Sequence, residues 1–251
     1  MSEHTNRQFA TDLETIRSQF LQMGGVVEAM IGEAVDALAG NDPVLFEKVR
    51  EREKEVNRRE VEIDERIGLT LALHQPTAID LRTLLAVSKM LTDMERSGDE
   101  ADKIASLARR IHDAEQHRMP VIELRHMANS VITMLRQTLD AFARQDAVQA
   151  AAVVRSDKEV DREWKAALRH LITYMIEDPR TISRAIDMIF VARALERIGD
   201  HAKNMAERVI YMVHGADVRH TGVKNAERTA AGEEPISIHE KQASDSNNSQ
   251  S

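Results

Sequence analysis

The sequence contains no cysteine, few aromatic residues and few of the residues that interrupt helices. Among its 251 residues there are 10 Gly and 5 Pro, and aromatic residues make up 3%. The absence of cysteine excludes disulfides, thiolate metal sites and cysteine nucleophiles. The scarcity of aromatic residues, glycine and proline favours long helices over sheet.

Long apolar runs and a positive charge balance are also absent. No apolar run reaches the 18 residues of a membrane-spanning helix, and the polar start of the chain has no signal-peptide pattern. The formal net charge is -8. Nucleic-acid-binding proteins usually combine a basic face with stacking aromatics, and the sequence has neither. We therefore expect a cytoplasmic protein that neither inserts into membranes nor binds nucleic acid.

The chain does contain apolar repeats of helical period. Apolar residues recur at alternating steps of three and four from 13 to 38, which predicts one face of a long helix. A turn at 40–43 ends it, and the Asp-Pro pair of this turn suits the start of a second helix over about 44–73. The middle of that helix, 50–62, is dense in alternating charge and is interpreted as a solvated face. A third helix is predicted over about 79–113.

The same pattern returns roughly one hundred residues later. The apolar positions of 23–38 recur 104 positions on, at 127–142 (127 minus 23). The motif Glu-Arg-x-Gly-Asp of 95–99 recurs 101 positions on, at 196–200 (196 minus 95). Three helices that occur twice indicate a tandem duplication. The expected fold is all-α, with two tandem, pseudo-symmetric three-helix bundles.

The composition also predicts where these bundles begin and end. We expect them at residues 7–115 and 120–214, with a short link at about 116–120. From 215 to 251 the sequence is rich in Gly, Ala, Thr, Asn, Ser and Glu and has little apolar periodicity. This pattern predicts a disordered C-terminal tail, whose removal should leave the melting temperature nearly unchanged.

The third helix of each copy carries two carboxylates four residues apart. Glu95 and Asp99 stand one above the other on one helix face, as do Glu196 and Asp200. Like charges so placed repel each other unless a cation lies nearby, and carboxylates at this spacing suit a hard divalent metal. A single pair of this kind is usually a surface feature neutralised by a neighbouring arginine. Its repetition in both copies is an argument for a metal site, and the surface interpretation, with Arg96 and Arg197 compensating the charge, stays open beside it.

Other candidate ligands are weaker. Asp157 and Asp161 on the fifth helix have the same spacing, but the first copy has Glu53 and Asn57 at the matching places. They are therefore interpreted first as surface residues and only second as members of a metal site. A ferritin-like di-iron bundle needs Glu-x-x-His from two helices, and the helical region contains one such pair, at 123–126.

The sequence shows no catalytic motif. P-loop, dinucleotide-binding and nucleophile-elbow motifs are absent, and no nucleophile and base can be paired from their spacing. The protein is therefore expected not to be an enzyme. Two alternatives stay open. A metal-dependent phosphohydrolase would turn over phosphate esters, and a purely structural scaffold would contain no metal on elemental analysis.

Several ordered motifs resemble the PhoU family of phosphate-signalling proteins. The segment 195–207, LERIGDHAKNMAE, and its first-half copy are similar to the family's signature, and so are parts of 73–82 and 174–180. The similarity extends over about residues 7–214. It implies two similar three-helix bundles that assemble into a homodimer or a larger homo-oligomer.

The resemblance also implies a function in phosphate homeostasis. Such a protein would be a negative regulator of the phosphate-starvation response and of phosphate uptake. It would act in signal transduction as a cytoplasmic adaptor at the inner face of the plasma membrane. Its implied partners are the phosphate ABC transporter, through the ATPase subunit, and a phosphate-sensing histidine kinase.

Family members bind metal clusters through E(D)-x-x-x-D motifs. The resemblance thus implies divalent or trivalent ions such as Fe, Mn, Mg or Zn, bound by Glu95, Asp99, Glu196 and Asp200. Less certain ligands are Asp102, Asn204, Asp157 and Asp161. The first copy departs from the second at Ser97 and Lys103. The two sites are therefore expected to differ in affinity or in metal number.

Overall fold

The structure, a computed structural model, describes residues 2–40, 42–113 and 124–234 and consists of helices joined by short turns. The long helices are α1 (Ser2–Gly40), α2 (Pro43–His74), α3 (Ala78–Asp113), α4 (Arg125–Arg144), α5 (Ala147–Glu177) and α6 (Ile182–His214). A single 3-10 turn, Pro179–Thr181, precedes α6, and a short helix α7 spans Val223–Ala230. No strand occurs within the described ranges. The all-α prediction is confirmed.

The starts of α2 and α5 show that the duplication includes the turns. The Asp42 carboxylate accepts a hydrogen bond from the backbone N–H of Val44 at 2.9 Å, and Pro43 occupies the first helical position. Asp146 caps α5 in the same way, accepting from the backbone N–H of Gln149 at 2.9 Å. Asp146 follows Asp42 by 104 positions (146 minus 42). The same side-chain chemistry therefore starts the second helix of each repeat.

A glycine lies at a close contact between the second and third helices of each repeat. A Cβ atom added to Gly98 on α3 would lie 3.2 Å from Val56 Cγ1 on α2. A Cβ atom added to Gly199 on α6 would lie 3.3 Å from Val160 Cγ1 on α5. Because these residues occupy matching positions of the two copies, the duplication also includes the tertiary packing.

The two repeats pack against each other mainly through α3 and α6. The Arg197 guanidinium donates to Glu100 Oε1 at 2.7 Å, and Arg110 forms an ion pair with Asp187. Residue numbers rise along one helix as they fall along the other, so α3 and α6 are antiparallel. The two acidic segments, one on each of these helices, are therefore related by an approximate twofold axis.

Helices α1 and α4 also lie side by side between the repeats. The rings of Phe20 and Phe142 meet edge to face with their centroids 5.1 Å apart, and Arg17 donates to the Ala143 carbonyl at 3.0 Å. One continuous hydrophobic core consequently extends through both repeats. None of the described helices has the length and apolar character of a membrane span.

The C-terminal prediction needs a correction. Residues 215–234 form a turn and helix α7, which packs on α5 and α6. Val218, Ala226 and Ala230 are buried there. Disorder was expected because the segment contains small and polar residues, but three of its polar residues are also buried, namely Thr221, Asn225 and Thr229. The expected link at 116–120 and the tail from 235 to 251 lie outside the described residues.

This docking changes the expected effect of truncation. Deleting residues 215–251 should lower the free energy of unfolding by about 2 kcal/mol, because it exposes the apolar surface that α7 and its preceding turn cover. The matched control is deletion of 235–251, which removes none of the described contacts and should leave the melting temperature unchanged. Differential scanning calorimetry would compare the two. Equal melting temperatures for both truncations would contradict the docking.

Candidate functional site

The carboxylates of the first repeat face each other across the contact between α2 and α3. Burial raises the pKa of Glu95, and the neighbouring charges of Asp99 and Glu60 raise it further. Burial also raises the pKa of Glu60, with additional contributions from Asp64 and Asp99. The structure thus adds Glu60 of α2 to the predicted pair. The sequence did not predict that Glu60 joins the pair, because Glu60 lies in a charge-dense stretch and its position beside Glu95 depends on how α2 packs on α3.

Asp102 extends this cluster along α3. It borders a cavity of about 300 Å³ that Arg50 of α2 and Arg109 of α3 also line. Burial raises the pKa of Asp102, Arg50 lowers it, and Asp99 raises it. Because the charge of Asp99 raises the pKa of Asp102, we group Asp102 with the carboxylates of the first repeat. The first acidic cluster is defined as Glu60, Glu95, Asp99 and Asp102.

The residues at which the two copies differ lie beside the clusters. The hydroxyl of buried Ser97 donates to the Asp93 carbonyl at 2.8 Å, within the same helix. The Lys103 ammonium donates to Glu100 at 3.1 Å. Asn204 donates a long hydrogen bond of 3.5 Å to the Asp93 carboxylate on α3. This hydrogen bond directs the Asn204 amide toward α3, and the less certain assignment of Asn204 as a ligand stays a prediction.

The second acidic cluster consists of Glu196 and Asp200 on α6 and Asp157 and Asp161 on α5. Burial raises the pKa of Asp200, and the charges of Asp157 and Asp161 raise it further, whereas Lys203 lowers it. The Asp157 side chain is only 8% exposed. The interpretation of Asp157 as a surface residue is therefore wrong. The antiparallel packing of α5 on α6 brings both aspartates to the predicted pair.

Glu196 is nearly as buried as Asp157 in this cluster. Its side chain is 9% exposed, and its Oε1 accepts a hydrogen bond from Arg193. Its Oε2 is buried and has no hydrogen-bond partner in the described structure. Burial raises the pKa of Glu196, and Asp200 adds to the increase. A buried, unpartnered carboxylate oxygen among other carboxylates is a position that a cation would satisfy.

The present side-chain arrangement does not itself form a coordination shell. Within 2–40, 42–113 and 124–234, no three Asp, Glu or His side chains converge closely enough to hold a metal ion. The donors are nevertheless the carboxylate oxygens that hard cations prefer, and they lie on adjacent turns of packed helices. To bind an ion, the side chains would have to turn toward a common point.

A further buried acid, Glu207, lies on α6 beneath the C-terminal segment. Burial raises its pKa to about 7, Lys203 opposes the increase, and Asp217 adds to it. The folded protein therefore holds the Glu207 proton more tightly than the unfolded chain, whose carboxyl has the ordinary value of 4.5. The stability that this proton provides is fully present below pH 4.5 and is lost as pH rises through about 7.

Substituting Glu207 with glutamine tests this pH dependence. Glu207→Gln should be more stable than the unmodified protein at pH 8 by about 2 kcal/mol, because the amide cannot ionise. The difference should vanish near pH 4.5, at the ordinary pKa. Urea denaturation at pH 8 and at pH 4.5 measures the stability difference at each pH. Substitution of the exposed Glu159 with glutamine is the control. A constant difference across this pH range would contradict a buried, titrating Glu207.

The structure defines a class of protein, namely a duplicated helical protein with one acidic cluster between the second and third helices of each repeat. The PhoU domain family model matches residues 20–108 and 124–209. These two ranges fall in the two repeats. The chain therefore belongs to the PhoU family.

Individual relatives are similar over nearly their full length. The phosphate-specific transport system accessory protein PhoU homolog of Pseudomonas putida is 48% identical over 224 residues, 89% of this chain and 88% of the relative. The phosphate-specific transport system accessory protein PhoU of Escherichia coli is 41% identical over 234 residues, 93% of this chain and 97% of the relative.

Solved structures show the same fold. The crystal structure of PhoU from Pseudomonas aeruginosa matches with a TM-score of 0.80 at 48% identity, covering 83% of this chain and 100% of that one. The phosphate transport system regulatory protein PhoU from Streptococcus pneumoniae matches with a TM-score of 0.77 at 25% identity, covering 84% of this chain and 99% of that one.

Proposed function

We propose that this chain is an accessory regulatory protein of a phosphate transport system and that it acts by contact rather than by catalysis. The observation that supports this most strongly is the near full-length similarity to accessory proteins of phosphate transport, 41% identical in E. coli and 48% in P. putida. Both acidic segments, together with the helices that pack against them, lie inside the aligned family domains.

In this proposal the protein is an adaptor with two partners. The antiparallel repeats present two similar but non-identical surfaces, which suits simultaneous contact with two other proteins. One partner is the phosphate ABC transporter, contacted through its ATPase subunit, and the other is a phosphate-sensing histidine kinase. The protein, a homodimer in the cytoplasm, meets them at the inner face of the plasma membrane. It keeps phosphate-starvation genes off and restrains phosphate uptake when phosphate is plentiful.

The proposal includes metal binding at both acidic clusters. Glu95 and Asp99 would bind one ion with help from Glu60 and Asp102, and Glu196 and Asp200 would bind another with help from Asp157 and Asp161. Hard oxygen ligands suit Mn, Mg, Fe or Zn ions. Burial, and after it neighbouring carboxylates, raise the pKa values of Glu95, Glu196 and Asp200. This supports the assignment, because both effects disfavour negative charge that has no compensating cation. A bound ion would supply the compensating positive charge.

Deleting the gene tests the regulatory proposal. In phosphate-rich medium, the deletion is expected to switch on phosphate-starvation genes, because the kinase would no longer be held inactive. A reporter fused to a starvation-induced promoter measures the response. Deleting the kinase gene as well should abolish it, since the adaptor has no output of its own. Unchanged expression after the single deletion, in a cell without a second copy, would refute the proposal.

A further inference from the structure

A lysine lies within the second acidic cluster. The Lys203 ammonium on α6 donates to Asp157 Oδ2 on α5 at 2.6 Å. The accepting Asp157 side chain is 8% exposed and the Lys203 side chain 31% exposed, so the carboxylate end of this ion pair is shielded from water. Arg193 adds a second positive charge by donating to Glu196. The second cluster therefore contains its own counter-ions.

Among the described residues, no cation forms an ion pair with a carboxylate of the first cluster. Arg96 and Arg50 act on Glu95 and Asp102 only through their nearby charges. At the position that matches Lys203, the first repeat has Asp102 (203 minus 101), which adds a negative charge in place of a positive one. The nearby Lys103 donates to Glu100 and so neutralises a different carboxylate. At the position that matches Arg193, the first repeat has the uncharged Thr92 (193 minus 101). The two clusters thus have similar carboxylates but different charge balances.

We propose that Lys203 is a built-in counter-ion that competes with metal for the second cluster, so that the first cluster binds a cation more tightly and fills first. This inference rests on the proposed metal binding. The Lys203 ammonium occupies the Asp157 oxygen that an incoming ion would need, and it must move away before that oxygen can become a ligand. The unpartnered Oε2 of Glu196 shows that the two basic residues do not satisfy the whole cluster.

The consequence is a protein with two unequal cation sites. An ion entering the first cluster meets carboxylates and the nearby charges of Arg50 and Arg96, neither of which forms an ion pair with a described carboxylate of that cluster. An ion entering the second cluster must displace a bound ammonium. Occupancy of the two repeats would therefore change at different metal concentrations. The twofold-related repeats would then differ in charge over the interval between these concentrations.

The test isolates the second cluster. In protein carrying Glu95→Ala and Asp99→Ala, the further substitution Lys203→Gln should tighten Mn²⁺ binding roughly tenfold or more, because a unit positive charge beside the ion is removed. Glutamine can still donate a hydrogen bond to Asp157, which protects the fold. The electron paramagnetic resonance signal of free Mn²⁺ measures the affinity. Lys203→Arg retains the charge and should leave the affinity unchanged, and Lys103→Gln is the matched control outside the cluster.

A second readout does not depend on affinity alone. Without metal, Lys203→Gln should melt at a lower temperature than its parent, because Asp157 loses its counter-ion. Saturating Mn²⁺ should then raise its melting temperature by more than that of the parent. A purely structural role for Lys203 predicts the first change without the second.

The outcomes separate this inference from the proposal on which it rests. Unchanged or weaker Mn²⁺ binding in Lys203→Gln would overturn the competition, provided that Glu196→Ala with Asp200→Ala still abolishes binding. In that case the second metal site itself would stand. Mn²⁺ binding that survives Glu196→Ala with Asp200→Ala would overturn the second site and the inference together.

Discussion

Replacing Gly98 with leucine is expected to lower the free energy of unfolding by about 3 kcal/mol, and Gly199→Leu should have a similar effect. A Cβ atom at Gly98 would already lie 3.2 Å from Val56 and 3.8 Å from both Val27 and Met30. A leucine side chain therefore has no space where α1, α2 and α3 meet. The helices would have to separate, and the carboxylates on either side of the α2–α3 contact would separate with them.

A matched control distinguishes overpacking from a change in helix propensity. Gly25 is also helical, but it is exposed on α1, and a Cβ atom there would meet nothing within 4 Å. Gly25→Leu should stabilise the protein by about 0.8 kcal/mol, because leucine favours helix more than glycine does. Urea denaturation measures all three variants. If Gly98→Leu and Gly25→Leu were equally stable, the close packing at Gly98 would be wrong.

Each pair of acidic residues is expected to account for the metal of its own repeat. Glu95→Ala with Asp99→Ala should remove the ion of the first repeat and leave that of the second, and Glu196→Ala with Asp200→Ala should do the reverse. Carboxylate oxygens supply the ligand charge, and alanine supplies none. Mass spectrometry of metal content after saturation with Mn²⁺ measures both losses. Metal content that stays constant in both variants would contradict the two-site proposal.

The control is another pair of acids at the same spacing. Glu159 and Glu163 are four residues apart on α5, but each has a basic partner. Glu159 pairs with Arg162, and Glu163 lies 3.0 Å from His126. Glu159→Ala with Glu163→Ala should retain the full metal content. This comparison separates the effect of the clusters from a general loss of negative charge.

The variant that lacks the second pair of acids also tests how this pair affects the stability of the metal-free protein. Burial and neighbouring carboxylates raise the pKa values of Glu196 and Asp200, so their stabilising protonated forms are lost as pH rises through those values. Above that range the ionised pair opposes folding. Metal-free Glu196→Ala with Asp200→Ala should therefore lose little stability at pH 8 or gain some. A large loss in calorimetry would show that the pair stabilises the fold without a metal.

The sequence by itself determined the helices, their duplication and the paired carboxylates. The reason is that all three depend on neighbours within one helix or one turn. The helical period places Glu95 beside Asp99 and Glu196 beside Asp200, whatever else the chain packs against. Comparing the two copies showed that the pairs recur. The caps at Asp42 and Asp146 are likewise contacts between residues two or three positions apart.

Only the tertiary structure decided which helices complete each cluster. Glu60 joins the first cluster and Asp157 the second because α2 and α5 pack antiparallel to the helices that follow them. Lys203 belongs to the second cluster for the same reason. The order of residues 215–234 depends on the packing of α7 against α5 and α6. Several of the residues buried there are threonine or asparagine, so the segment has no hydrophobic period that would predict this packing. Contacts between helices depend on how their surfaces fit together, and a period read along one helix carries no information about that fit.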